Sequence, residues 1–131
     1  MVEPVKSLMQ SYLRTKVKNV AEFQKVSALR TNSSNNTLFA DRQGNVGYFH
    51  ANFLPRRNDR FDYTRPVEGS DVETDWKGVH ELRELPAVVN PASGWVYNAN
   101  DWPWMAAGEG SLDAQKYPKY TDRFGASARG K

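Results

Sequence analysis

The 131-residue sequence contains no cysteine and only two histidines, His50 and His80. Disulfide frameworks, zinc–thiolate sites and thiol nucleophiles are thereby excluded, and the two histidines lack the close spacing of a metal cage. A Gly-x-Ser-x-Gly elbow and a glycine-rich phosphate loop are also missing. A Ser-His-Asp triad without such an elbow stays open, although His50, in a predicted strand, is interpreted as a satisfied structural histidine. The sequence therefore predicts no metal site and no cofactor site in this chain.

Long apolar runs and concentrated charge are missing as well. No apolar run approaches the roughly 20 residues of a membrane-spanning helix, and residues 1–10 lack the apolar core of a signal peptide. The net charge is +3, and Arg56-Arg57 is the only adjacent pair of like charges. A groove that follows phosphates needs clustered basic residues beside an aromatic platform. We therefore predict neither a membrane nor a nucleic acid as a partner.

Apolar residues make up 39% of the sequence, which is low for a domain that buries its own core. Aromatic residues nevertheless reach 12%. Such a chain either packs its rings into its core or presents them to a ligand or to protein outside the sequence. Its length fits one domain at most. We predict a single partial domain over residues 1–131, with a helical part (1–31), a part made of sheet and long loops (35–104) and an irregular tail (105–131).

The first thirty residues have a helical period. Apolar residues recur at i, i+3 and i+4 in two stretches, and Asn19 with Glu22 three residues later is typical of a helix N-terminus. We interpret both apolar faces as packing surfaces (Val5, Leu8, Met9 and Leu13; Val20, Phe23, Val26 and Leu29).

From Asn36 the period changes to two. Residues 37–40 and 46–51 are predicted to form a hairpin around a turn at residues 41–45, in which Gly44 supplies a positive φ. The predicted fold class is therefore α+β, with N-terminal helices followed by a mainly antiparallel sheet.

Residues 90–103 carry the clearest functional pattern. They begin with a turn, continue through an alternating stretch and end in amides beside tryptophans. A sheet can in this way present a primary amide at the rim of an aromatic pocket, where the Asn100 amide is a candidate donor to a developing oxyanion. The alternative is that Asn100 only forms the turn before Pro103. The rings expected to bind a substrate are those of Trp95, Tyr97 and Trp102.

Several motifs within residues 20–104 occur in the order found in one enzyme family. They are a hairpin, a proline-glycine loop, a Trp-Lys-Gly motif and the amide segment just described (35–50, 65–70, 75–78 and 90–103). As a set, they resemble the interior of the large subunit of the penicillin acylase family, which consists of N-terminal-nucleophile amidohydrolases. Pro55-Arg56-Arg57 followed by Asp62 is more similar to the acyl-homoserine-lactone acylases of that family.

The resemblance implies a hydrolase that cleaves linear amide bonds of the penicillin or acyl-homoserine-lactone type. In such enzymes an N-terminal serine attacks the acyl carbonyl and is activated by its own α-amine, while donors that include an asparagine amide hold the tetrahedral anion. The resemblance places that asparagine at Asn100 and a supporting arginine at Arg129. It also implies a small acyl amide as the substrate and a sheet that is one layer of a four-layer αββα sandwich.

The nucleophile is where this sequence departs from the family. The chain begins Met1-Val2, and neither Gly69-Ser70 nor Gly110-Ser111 is followed by the Asn and Trp that usually attend the nucleophile. We therefore expect a fragment that is inactive alone, works with the remainder of the acylase subunits and self-associates when isolated; whether the chain itself is an enzyme stays open. The resemblance also implies a periplasmic or secreted location and calcium in the complete enzyme.

The competing hypothesis is a non-catalytic binding module. The pairs Trp95-Tyr97 and Trp102-Trp104 offer an aromatic surface that could stack on a sugar ring or bind an acyl chain. Ligand-dependent changes in intrinsic fluorescence without amide cleavage would favour this hypothesis. A third is a truncated gene product that folds only by oligomerising.

Overall fold

The computed structural model describes residues 3–32 and 35–121. Two helices come first, α1 (Pro4–Arg14) and α2 (Val20–Ser27). Three strands follow, β1 (Thr37–Ala40), β2 (Val46–Phe49) and β3 (Ala87–Val89), with short 3-10 turns in the connections (72–74, 82–84, 103–105 and 114–116). The predicted α+β class, with helices before an antiparallel sheet, is confirmed.

Helix α2 begins at the cap that the sequence predicts. The Asn19 side chain accepts a hydrogen bond from the backbone N–H of Glu22 at 2.9 Å. The Glu22 carboxylate in turn accepts from the backbone N–H of Lys18, also at 2.9 Å. These bonds satisfy donors near the helix start, where the first backbone N–H groups lack intrahelical partners. The cap thus fixes where α2 starts and which of its side chains face the sheet.

Strand β2 is the centre of the sheet, antiparallel to β1 on one side and to β3 on the other. Side chains of a strand alternate between the two faces of the sheet. On one face the ring of Phe23 from α2 packs against Phe39 and Phe49, with centroids 5.0 and 4.9 Å apart. Gly47 lies against the Phe49 ring, because a Cβ built at Gly47 would come within 2.8 Å of that ring. The packed core between α2 and the sheet therefore depends on a residue without a side chain.

The turn between β1 and β2 closes around Asp41. One oxygen of its carboxylate accepts hydrogen bonds from the backbone N–H groups of Gln43 and Asn45, both at 3.0 Å. Gly44 has a φ of +87° there, a region that glycine adopts without steric cost. The predicted hairpin is confirmed, with β2 ending at Phe49 rather than at residue 51.

Helix α1 departs from its predicted role. Val5 and Leu8 are 71% and 74% exposed, and Met9 is 47% exposed, so, contrary to the prediction, this apolar face does not pack within the described residues. The buried residue of α1 is Gln10, whose side-chain oxygen accepts hydrogen bonds from the N–H of Thr31 at 2.9 Å and from its hydroxyl at 2.7 Å. A buried amide has to be hydrogen-bonded. This polar contact orients Gln10 inward and leaves the apolar stripe outside.

The long connection between β2 and β3 is held by individual contacts. Pro55 and Val79 form an isolated bridge. Arg56 forms a 2.6 Å ion pair with Glu84, and this hydrogen bond lowers the pKa of Glu84 to about 2. Within residues 3–32 and 35–121, no helix has the length and apolar character needed to span a bilayer.

Candidate functional site

A loop of residues 95–101 follows β3 and is tied to the rest of the fold at two points. The backbone N–H of Tyr97 donates to the carbonyl of Ala106 at 2.8 Å. The Asn36 side chain donates to the side-chain oxygen of Asn98 at 3.2 Å. Asn36 immediately precedes β1, so the second bond connects the loop to the end of the sheet.

Asp101 is the hydrogen-bonding centre of this loop and is only 8% exposed. One of its carboxylate oxygens accepts from the Asn98 side chain at 3.0 Å and from the N–H of Ala99 at 3.2 Å. The other accepts from the Tyr97 hydroxyl at 2.8 Å. This hydrogen bond raises the pKa of Tyr97, because loss of the phenolic proton would bring two negative charges together. One carboxylate thus holds three donors of the loop.

Asn100 lies in the middle of this network. Its φ is +61°, in the left-handed region that asparagine tolerates better than most residues. Its backbone N–H donates to the Asn98 side-chain oxygen at 3.1 Å. The Asn100 side chain is exposed, and it makes no hydrogen bond to another residue of the described ranges. The backbone of Asn100 is therefore fixed by its neighbours while its amide stays open to a ligand.

The three aromatic residues predicted to bind substrate all lie at the surface. Trp95, Tyr97 and Trp102 are 47%, 39% and 45% exposed. The rings of Trp95 and Tyr97 are neighbours, with centroids 6.1 Å apart. None of the three lines the cavities of about 720 and 200 Å³. Trp95 and Tyr97 thus form an exposed aromatic pair in the loop that carries Asn100, and Trp102 is exposed just after it.

The charge of Asp101 also reaches Tyr48, a buried residue of β2 that contacts His50 just after the strand. Tyr48 is fully buried, and its pKa is raised by burial and, to a lesser extent, by the negative charge of Asp101. Its hydroxyl lies 3.2 Å from Nδ1 of His50. Burial lowers the pKa of His50 to about 4, so its imidazole is neutral at pH 7. The interpretation of His50 as a satisfied histidine holds for Nδ1 alone, because Nε2 has no hydrogen-bond partner within the described ranges.

Two further predictions concern Arg129 and calcium. Arg129 lies outside the described residues, so its supporting role stays a prediction. Within residues 3–32 and 35–121, no group of three or more His, Asp or Glu side chains could hold a metal ion. Calcium in the complete enzyme therefore stays a prediction, and no step of the chemistry is assigned to it.

Sequence reasoning missed the role of Asp101. The pattern Asn98-x-Asn100-Asp101 was a usable signal, because closely spaced Asn and Asp side chains commonly accept hydrogen bonds from nearby backbone N–H groups in turns. The contribution of the Tyr97 hydroxyl had no such signal, since alternation along an extended segment does not show which ring will reach a carboxylate.

Comparison with known proteins gives the family. The family model described as penicillin amidase matches residues 1–131. The chain belongs to the penicillin amidase family. This confirms the resemblance seen in the sequence motifs.

Two relatives show how much of a penicillin amidase this chain represents. Over 99 residues it is 35% identical to penicillin G acylase from Escherichia coli, covering 76% of this chain and 12% of that protein. Its structure is similar to that of a thermostable penicillin G acylase from Alcaligenes faecalis, with a TM-score of 0.67, 32% identity, and coverage of 76% of this chain and 18% of that one. The chain thus spans only a small part of the length of these relatives.

Proposed function

We propose that this chain is an internal segment of an amidohydrolase that cleaves linear acyl amides, and that Asn100 donates a hydrogen bond to the oxyanion of the reaction. The observation that carries the proposal is the geometry of the loop. Asn98 and Asp101 hold its backbone, while the Asn100 amide is exposed and unpaired among the described residues. A donor that is fixed before the substrate arrives needs little reorganisation when charge develops.

The chemistry explains why an amide suits this role. An N-terminal serine, supplied outside this segment, attacks the acyl carbonyl and is activated by its own α-amine. The carbonyl oxygen becomes negative, and the N–H of Asn100 donates to it. A neutral amide donates a hydrogen bond without placing a positive charge near the α-amine of the serine. A positive charge there would change the pKa of that amine.

The test removes the amide from the full natural polypeptide that carries these residues. Because φ at Asn100 is +61°, alanine would strain the backbone, whereas glycine accepts this conformation. We expect Asn100→Gly to lower kcat about 10²–10³-fold while KM changes little. A loss of kcat smaller than about threefold would place the oxyanion donor elsewhere.

Asn90→Gly is the matched control. Asn90 also has a positive φ, of 50°, but its side chain bonds to the N–H of Val46 and to the Asn45 side chain at the end of the hairpin. We expect this variant to lose stability and to keep the kcat of the parent. The 131-residue chain alone should show no amide turnover, since the nucleophile is supplied from outside it.

We also propose that other regions of the acylase cover the exposed apolar surface of this segment. Val5, Leu8 and Met9 on α1 are exposed, as are Trp95 and Trp102 near the loop. Contiguous exposed apolar surface favours association. The isolated chain should therefore self-associate in analytical ultracentrifugation, and Leu8→Glu should shift the equilibrium toward the monomer. A wild-type chain that stays monomeric at high concentration would contradict this.

The exposed rings of Trp95 and Tyr97 support a second candidate function. In this alternative, the two rings form a non-catalytic surface that binds an acyl chain or a sugar. Three results together would favour this candidate. Such ligands would quench tryptophan fluorescence, the Asn100→Gly variant would bind them as well as the parent, and the natural polypeptide would cleave no amide.

A further inference from the structure

A cavity of about 200 Å³ lies away from the candidate site and is lined by both helices, the strand ends and the 3-10 turn before β3. Neither Asn100 nor the aromatic residues around it contribute to its lining. Four of the polar side chains that do are themselves buried, at 3% to 6% exposed (Gln10, Ser27, His50 and Asn52). Buried polar groups need hydrogen-bond partners. The atoms of these side chains that have no partner in the protein therefore determine which ligand can bind in the cavity.

The two amide side chains have already used their oxygens. The oxygen of Gln10 accepts from the N–H and the hydroxyl of Thr31 at 2.9 and 2.7 Å, and the oxygen of Asn52 accepts from the N–H of Asn32 at 2.8 Å. Since a backbone N–H can only donate, these bonds fix which end of each amide faces the protein. The NH₂ groups of Gln10 and Asn52 donate to no residue of the described ranges and remain as donors.

The histidine in the lining has one unpaired ring nitrogen. The buried Tyr48 hydroxyl lies 3.2 Å from His50 Nδ1, and a buried phenol is expected to donate its proton to such a neighbour. If Tyr48 donates, Nδ1 is the acceptor and the neutral ring carries its proton on Nε2. That Nε2 is buried and has no partner among the described residues.

The charged and apolar residues of the lining further restrict the kind of ligand that can bind. No Asp or Glu lines the cavity, whereas Arg14 does, and Arg14 forms no ion pair within residues 3–32 and 35–121. The remaining wall includes the apolar side chains of Phe23, Phe49, Leu82 and Leu85. A ligand that fits this lining carries acceptors and a negative charge at one end and is apolar at the other.

We propose that this cavity is a binding site for a short aliphatic carboxylate, whose oxygens accept from Gln10 and Asn52, with Arg14 as the balancing charge. At about 30 Å³ of liquid volume per water, the cavity of about 200 Å³ has room for a carboxylate with a tail of a few carbons. The proposal does not depend on the role of Asn100.

Isothermal titration calorimetry on the full natural polypeptide that carries these residues tests the proposal, with butyrate as the probe. We expect saturable binding with a Kd on the order of 1 mM, as befits a ligand of this size. Butyramide has nearly the same shape without the charge and should bind at least about tenfold more weakly. Chloride should not compete. Absence of butyrate binding, equal binding of butyramide, or displacement by chloride at equal concentration would each overturn the proposal.

Two conservative variants locate the site. Gln10→Glu and Asn52→Asp keep the oxygens that accept from Thr31 and Asn32, but each replaces an NH₂ donor with a second, negatively charged acceptor. Each should weaken butyrate binding by about tenfold or more, since like charges brought together repel strongly. Gln43→Glu makes the same charge change in the exposed hairpin turn and should leave binding unchanged. Equal butyrate affinity in all three variants would show that butyrate binds elsewhere and would refute the assignment.

Discussion

The hydrogen bonds of Asp101 predict a definite order of stability losses in the loop that presents Asn100. Asp101→Ala removes the acceptor of all three donors and leaves the Asn98 amide and the N–H of Ala99 without it. Asp101→Asn keeps one oxygen for these two groups, and its NH₂ can donate to the Tyr97 hydroxyl oxygen. Tyr97→Phe removes one hydrogen bond from a half-exposed ring. The cost should therefore rise from Tyr97→Phe through Asp101→Asn to Asp101→Ala.

The magnitudes follow from the number and burial of the bonds. A hydrogen bond to a charged group contributes about 1.5–3 kcal/mol, and exposure reduces this. We expect a loss in the free energy of unfolding of about 1 kcal/mol for Tyr97→Phe, about 2 kcal/mol for Asp101→Asn and about 4 kcal/mol for Asp101→Ala.

Urea unfolding followed by tryptophan fluorescence measures these losses, because Trp102 is next to Asp101 in the chain. The decisive comparison is a double-mutant cycle. Tyr97→Phe should cost almost nothing in the Asp101→Ala background, which gives a coupling energy of about 1 kcal/mol. The same cost in both backgrounds, or a loss below about 1 kcal/mol for Asp101→Ala, would refute the central place given to this carboxylate.

Two further predictions concern the core. His50 has a folded-state pKa of about 4 against an ordinary 6.5, so the unfolded chain binds a proton between these pH values while the folded chain does not; stability should fall by about 3 kcal/mol from pH 6.5 to pH 4. Urea unfolding without added carboxylate should show this slope reduced in His50→Gln, and an unchanged slope would contradict the assignment. Gly47→Ala should cost about 1–3 kcal/mol because its Cβ would come within 2.8 Å of the Phe49 ring, whereas Gly69→Ala, with nothing within 4 Å, should be nearly neutral in thermal unfolding.

The parts of the fold that the sequence predicted well are those determined by near neighbours. The α2 cap joins Asn19 to a residue three positions away, and the hairpin depends on Gly44 and the alternation around it. The α1 prediction failed because the orientation of this helix depends on a bond between Gln10 and Thr31, 21 residues apart. Apolar periodicity does not carry that information.

In the candidate site and the cavity, too, the sequence predicted what depends on near neighbours and missed what depends on distant contacts. The role of Asn100 was predicted from its motif and stays a prediction, while its left-handed backbone agrees with a turn made by closely spaced polar residues. The donors of the cavity could not be found from the sequence. The NH₂ groups of Gln10 and Asn52 remain as donors only because the amide oxygens accept hydrogen bonds from residues distant in the sequence.

The position of Gln10 has a consequence for how the fold opens. It is the buried residue of α1, whereas Phe23 fixes α2 against the sheet. In the isolated chain, where no other acylase region covers α1, a segment with so few buried contacts should open on its own, without global unfolding. Backbone amides of α1 should therefore exchange with deuterium well before those of α2 and β2. Gln10 and Arg14 both line the cavity of about 200 Å³, so each local opening of α1 would also take one of its amide donors and its arginine away from a bound ligand.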